Sequence, residues 1–93
     1  MIEKRVTVTN RLGLHARAAA RLVHMANQFQ SVIRLERIDD RLGADAKSIL
    51  SVLMLAAACG TELSAKAEGA DETEAIEALA EIFSNGFGEA ERD

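Results

Sequence analysis

The sequence predicts an α+β domain in which an antiparallel sheet is covered on one face by helices, and three observations carry that prediction. Stretches with apolar residues at every second position alternate with stretches of helical periodicity, in the order β-α-β-β-α-β-α. Helices separated by single strands and one short hairpin fit a helix layer on a mostly antiparallel sheet. The chain has 93 residues, 48% of them hydrophobic and none of them proline, which is the length and composition of one folded domain, here residues 1–93. A domain of this size buries roughly two-thirds of its unfolded surface. Its core is therefore thin, with no room for a deep cleft between domains.

Residues 2–9, IEKRVTVT, end in β-branched residues alternating with polar ones, and this places Ile2, Val6 and Val8 on the inner face of a strand. Asn10, Arg11, Leu12 and Gly13 break the alternation. From Ala16 to about Asn27, apolar residues at Ala19, Leu22, Val23 and Ala26 recur at helical spacing, and Phe29 follows at the exit. Residues 31–38, SVIRLERI, return to a period of two with Ile33 and Leu35 inward. Asp39, Asp40 and Arg41 supply a turn, and a short strand is expected between Leu42 and Ala46.

Ser48 precedes ILSVLMLAAA, residues 49–58, which reads as a helix stopped by Gly60. Residues 62–69, ELSAKAEG, alternate again with Leu63, Ala65 and Ala67 inward. Asp71 followed three residues later by Glu74 has the spacing of a capping box for a last helix. Ile76, Leu79, Ala80 and Phe83 form its apolar stripe, Glu72, Glu77 and Glu81 its wet side, and Gly86 its end. The final residues 88–93, GEAERD, are expected to fray.

Several classes of function are disfavoured by composition. A formal net charge of -4 argues against nucleic-acid or anionic-membrane binding, which reward a basic surface. No window approaches the roughly 18 consecutive apolar residues of a membrane span, and Glu3, Lys4 and Arg5 interrupt any secretory segment. Cys59 is the single cysteine, so no intramolecular disulfide forms and a reducing cytoplasm is the expected location.

The chemistry concentrates in Gly13-Leu14-His15-Ala16-Arg17, where an imidazole stands at the junction between a loop and a helix. The first turn of a helix exposes unpaired N–H groups, beginning here with that of Ala16, together with a partial positive charge. That combination receives anions. Imidazole is a competent nucleophile at neutral pH without a separate base, and Arg17 adds a planar fork of donors suited to phosphoryl oxygens. Dipole and arginine together are worth about 1 to 3 kcal/mol for a bound anion. The residues alone support equally well a His15 that only caps its helix as a solvated polar group.

The run from Ile49 is apolar nearly all round, whereas a thin core covers only part of a helix. Some of Ile49, Leu50, Leu53 and Met54 should therefore stay exposed and meet a partner; a fully covered core helix is the other reading. Ser48 takes the position where serine caps a helix, and it doubles as a candidate site of regulatory phosphorylation. His24 lies opposite Leu22, Val23 and Ala26, in line with Arg17 and Arg21, and reads as a surface or docking residue. No second His or Cys stands at metal spacing, so neither metal nor cofactor is expected. Cys59 reads as a small buried hydrophobe.

Taken together, GLHAR around His15, AKSILSVLML around Ser48, GTELSAKAEG and DETEAIEAL resemble the HPr phosphocarriers of the bacterial phosphoenolpyruvate-dependent phosphotransferase system, over essentially the whole chain. The resemblance implies an open-faced β-sandwich of four antiparallel strands with three helices on one side. It implies that His15 is phosphorylated at Nδ1 by phospho-enzyme I and read by enzyme IIA domains, with Arg17 assisting. Ser48 then corresponds to the serine that HPr kinase modifies in some lineages. Ile49, Leu50 and Leu53 belong to a docking patch that also enlists Ala20, Arg21, His24 and Asn27, on a chain expected to be monomeric. The family commonly has proline after the arginine, where this chain has Ala18, and the middle hairpin is slightly longer than usual. The LMLAA run and the ending FSNGFGE are similar to the nitrogen-branch carriers called NPr.

Two further functions compete with a phosphoryl relay. One is a regulatory module that docks its apolar helix 49–58 and uses Ser48 as a switch without any relay. The other is a small enzyme acting on a metabolite, which the sequence disfavours because no second acid or base stands near His15.

Overall fold

Alternating side chains build a sheet only when neighbouring strands agree on which face is apolar. The computed structural model, which describes residues 1–89, shows how they agree. The elements are β1 (Ile2–Thr7), α1 (Ala16–Ala26), β2 (Val32–Arg37), β3 (Gly43–Asp45), α2 (Ile49–Met54), β4 (Glu62–Glu68) and α3 (Glu72–Ser84), followed by a short 3₁₀ turn at Gly86–Gly88. The four strands form one antiparallel sheet in the order β1-β4-β2-β3. The last strand in sequence is thus inserted between β1 and β2, which α1 connects, while a turn joins β2 to its neighbour β3 and α2 leads from β3 to β4.

Register follows from the period-two pattern. Ile2 pairs with Ala67 and Val6 with Leu63 across β1 and β4, while Ile33 pairs with Ala67 and Leu35 with Ala65 across β2 and β4. These residues face the helices, and Leu63, Ala65 and Ala67 are fully buried. The small alanines let the helices approach the central strand closely. Ala18, Ala19, Leu22 and Ala26 from α1, Val52 from α2, and Ala75, Ile76, Leu79 and Phe83 from α3 complete the core, with Phe87 edge-on to Phe83 at 4.9 Å between ring centroids. The opposite sheet face carries Glu3, Lys66, Arg34 and Asp45 in paired positions and no helix. This is the expected open-faced arrangement. Among the described residues no helix is long and apolar enough to cross a membrane.

Five local expectations are corrected. The second helix stops at Met54 instead of running through residue 58. Ala56 adopts a left-handed conformation (φ 50°), and Arg37 Nη1 donates to Leu55 O at 2.8 Å and Ala56 O at 3.3 Å, which satisfies the freed carbonyls. Cys59 is consequently on a surface loop and exposed, not buried. At the start of α3, the Asp71 carboxylate makes no cap bond within its own helix. It accepts instead from Gln30 N (2.9 Å), Ser31 N (2.9 Å) and Ser31 Oγ (2.5 Å), tying α3 to the entry of β2. Glu72 is half-buried rather than wet: it accepts from Gly69 N at 3.0 Å and pairs with the chain's amino terminus at 3.3 Å. Of the tail expected to fray, Gly88 and Glu89 are instead held against the domain, and residues 90–93 lie outside the described residues.

The Asp71 clasp has a pH signature. Ser31 Oγ first, and then the N–H of Gln30, holds its carboxyl below the usual range; Arg37 holds Asp39 down at about 2 by hydrogen bonding. Depressed carboxylates contribute stability above their unfolded-state value of about 4, and the contribution is lost as the pH falls through the folded-state value. The urea midpoint should therefore fall as the pH drops below about 4, and Asp71→Asn should flatten that fall. Parallel profiles for the two proteins would remove Asp71 from the account.

Candidate functional site

The loop between β1 and α1 is fixed residue by residue. Val8 N donates to Thr61 O (2.9 Å), Thr9 Oγ1 to Phe83 O (2.7 Å), and Leu14 N to Ala57 O (2.9 Å), with the Leu14 side chain in the core. Gly13 has φ 73°, and a Cβ there would lie 2.7 Å from Ala57 O and 2.9 Å from Ala58 Cα. Only glycine suits both that conformation and that approach. His15 therefore leaves the loop in one direction, between two anchored residues.

His15 is the N-cap of α1: its backbone is extended, its carbonyl accepts from Ala19 N at 2.8 Å, and its Nδ1 accepts from Arg17 N at 3.2 Å. Its Nε2 lies 2.6 Å from Glu89 Oε2. An amide N–H can only donate and a carboxylate only accept, so the neutral ring that satisfies both carries its proton on Nε2. The Nδ1 lone pair then points toward the first turn of α1. The His15 side chain is 29% exposed and that of Glu89 14%, so the ring lies on an open surface with one edge covered.

Glu89 is held in its turn. Buried Asn10 donates from Nδ2 to Glu89 Oε1 (2.9 Å) and to Gly13 O (2.7 Å). Both neighbours are acceptors, which fixes the amide orientation and leaves Asn10 Oδ1 buried with no partner among the described residues. Such an orphan costs about 1 to 3 kcal/mol, which the site bears in exchange for a fixed carboxylate. Hydrogen bonding from Asn10, then from His15, holds the Glu89 carboxyl below its usual range against the opposing effect of burial. Arg21 Nη1 donates to Phe87 O at 2.6 Å and so fastens the segment that carries Glu89.

The remaining sequence candidates fall on the same side of the molecule. Ala16, Arg17, Ala20, Arg21, His24 and Asn27 are exposed along α1, which packs against α2. The Arg17 guanidinium makes no hydrogen bond or ion pair among the described residues. Ile49, Leu50, Leu53 and Met54 are exposed on α2, Leu50 and Met54 each at 68%, and Leu12 is exposed in the loop before His15. Ser48 caps α2, its Oγ accepting from Ser51 N at 3.3 Å. Asn27 Nδ2 reaches Lys47 O at 3.3 Å and so links α1 to the turn that carries Ser48. A depression of about 180 Å³ on the open sheet face, lined by residues including Val32, Arg34, Glu36 and Lys66, shares nothing with this site. Sequence reasoning missed Asn10 and Glu89, which stand next to His15 only after folding; the glycines flanking Phe87 were the one hint that the tail docks.

Fold and site together define a small α+β protein that presents one oriented histidine at a helix N-terminus, beside an exposed apolar helix. A family model described as the PTS HPr component phosphorylation site matches residues 2–85. The phosphocarrier protein HPr of Cupriavidus necator is 43% identical over 91 residues, covering 98% of this chain and 100% of that protein. HPr of Treponema pallidum is 46% identical over 89 residues, covering 96% and 99%. Among solved structures, HPr-C-His from Thermoanaerobacter tengcongensis superposes with a TM-score of 0.91 at 40% identity, covering 98% of this chain and 100% of that one. The chain belongs to the HPr family of phosphocarriers of the phosphotransferase system.

Proposed function

We propose that the chain accepts a phosphoryl group on His15 Nδ1 from phospho-enzyme I and passes it to an enzyme IIA domain. The observation that carries this reading is the oriented ring. Nδ1 offers its lone pair at the start of α1, where the N–H groups of the first turn favour a dianion. The exposed Arg17 guanidinium is free to swing onto the phosphoryl oxygens. Modest electrostatics on an open surface suit a group that must leave again.

Docking falls to the exposed faces of α1 and α2, through Ala20, Arg21, His24, Asn27, Ile49, Leu50 and Leu53. Phosphorylation of Ser48 by an HPr kinase would place a dianion beside Ile49 and Leu50 and weaken that docking. The apolar helix serves the relay in this reading rather than replacing it.

The test is chemical. Phosphoenolpyruvate and enzyme I should load one phosphoryl group per chain, labile in acid and stable in alkali as a phosphohistidine is. No loading by an enzyme I of verified activity, or an acid-stable ester in its place, would overturn the reading.

A further inference from the structure

We propose that Glu89 is a positioning residue for the phosphoryl transfer, holding the His15 ring proton on Nε2 both while Nδ1 accepts the group and while it releases it. This deepens the reading of His15 as the acceptor and rests on it.

The geometry is built for that task. Glu89 Oε2 accepts from His15 Nε2 at 2.6 Å, while Oε1 is occupied by Asn10 Nδ2 at 2.9 Å. The carboxylate therefore cannot rotate away without leaving one N–H of the buried Asn10 amide unpaired. Phe87 in the core, the Arg21 bond to Phe87 O and the Asn85 Oδ1 bond to Gly88 N at 3.1 Å fix the backbone up to it. The two Glu89 contacts span 74 and 79 residues of sequence between the tail and the histidine loop.

The electron count shows what the contact does. On acceptance the Nδ1 lone pair forms the new bond to phosphorus, and the bond from phosphorus to the donor breaks, its electron pair leaving with the donor. The Nε2 proton stays in place. The ring becomes a phosphorylated imidazolium whose positive charge faces a carboxylate 2.6 Å away. On release the Nδ1–P bond breaks and its pair returns to Nδ1. With Nε2 protonated, the departing group is a neutral imidazole; with Nε2 bare it would be an imidazolate, a far poorer leaving group. Glu89 thus keeps the phosphoryl group mobile, from the ring edge opposite the reacting nitrogen, where it does not obstruct the partner.

The experiment compares the full-length wild type with Glu89→Gln, which keeps the shape and loses the charge, and Glu89→Ala, which loses both. In the unphosphorylated proteins, ¹⁵N spectra of the imidazole should show a His15 Nε2–H resonance protected from exchange in the wild type and lost in Glu89→Ala. In the phosphorylated proteins near neutral pH, Nε2 should be more protonated in the wild type than in Glu89→Gln. The phosphoryl half-life of Glu89→Gln should be longer, on the order of three- to tenfold, as for the loss of one charge-assisted hydrogen bond. Normal loading of all three proteins with equal half-lives and equal imidazole spectra would overturn this proposal and leave the carrier reading intact. A wild type that takes no phosphoryl group would overturn both.

Discussion

The His15→Ala protein is expected to fold, to bind enzyme I and to take up no phosphoryl group. The substitution removes the Nδ1 acceptor of the α1 cap and the contact to Glu89. That costs about 1 to 2 kcal/mol, which a domain stable by roughly 5 to 15 kcal/mol survives. What it removes completely is the proposed nucleophile, so loading should fall to background. Leu50→Glu makes the opposite cut. Its side chain is exposed on α2, not on the helix that His15 caps, and burying a leucine in a complex is worth about 1.5 to 3 kcal/mol. Affinity for enzyme I should therefore drop about 10- to 100-fold in a calorimetric titration, while saturating enzyme I still loads His15. Ser48→Asp, with its charge one residue from Ile49, should weaken the same titration less. Unchanged affinity in Leu50→Glu would take α2 out of the interface. Label retained in His15→Ala would move the acceptor elsewhere, His24 being the other histidine in the chain.

The parts of this molecule that could be read in advance are those specified by neighbours in sequence. Leu63, Ala65 and Ala67 sit inward because a strand alternates, and Ser48 caps because a serine before an apolar run satisfies the orphan N–H groups that follow it. His15 was legible for the same reason: loop, cap and arginine fall within five residues. The failures all involve partners brought from far away. Asp71 has the spacing of a capping box, yet its carboxylate is taken by Gln30 and Ser31, some 40 residues earlier. The second helix had the composition to continue to residue 58, but Arg37 caps its carbonyls at residues 55 and 56, and Ala57 O is committed to Leu14 N. Cys59 was carried to the surface by that early stop. Glu89 looked like one more charge in a polar tail. Periodicity reports which face of an element is apolar; it carries no information on which distant side chain claims a given backbone group.

Gly13→Ala and Gly60→Ala together should show how much of the site depends on close backbone approach. Both glycines have positive φ, 73° and 95°, so alanine at either is strained by about 1 to 2 kcal/mol. At Gly60 a Cβ meets nothing within 4 Å, and that strain should be nearly the whole effect. At Gly13 the Cβ would lie 2.7 Å from Ala57 O and 2.9 Å from Ala58 Cα, both backbone atoms that cannot rotate aside. Forcing them apart adds about 1 to 3 kcal/mol, as overpacking does elsewhere. The atoms that must move include the carbonyl that receives Leu14 N, which sets the direction in which His15 leaves the loop. Gly13→Ala should therefore lower the urea midpoint well beyond Gly60→Ala and also slow phosphoryl loading under conditions where the protein is fully folded, because the ring no longer meets Arg17 N and Glu89 together. Gly60→Ala should load at the wild-type rate. Equal losses of stability in the two variants would mean that the loop yields to a Cβ at Gly13. Normal loading by a destabilised Gly13→Ala would mean that the orientation of His15 does not depend on the Leu14–Ala57 anchor.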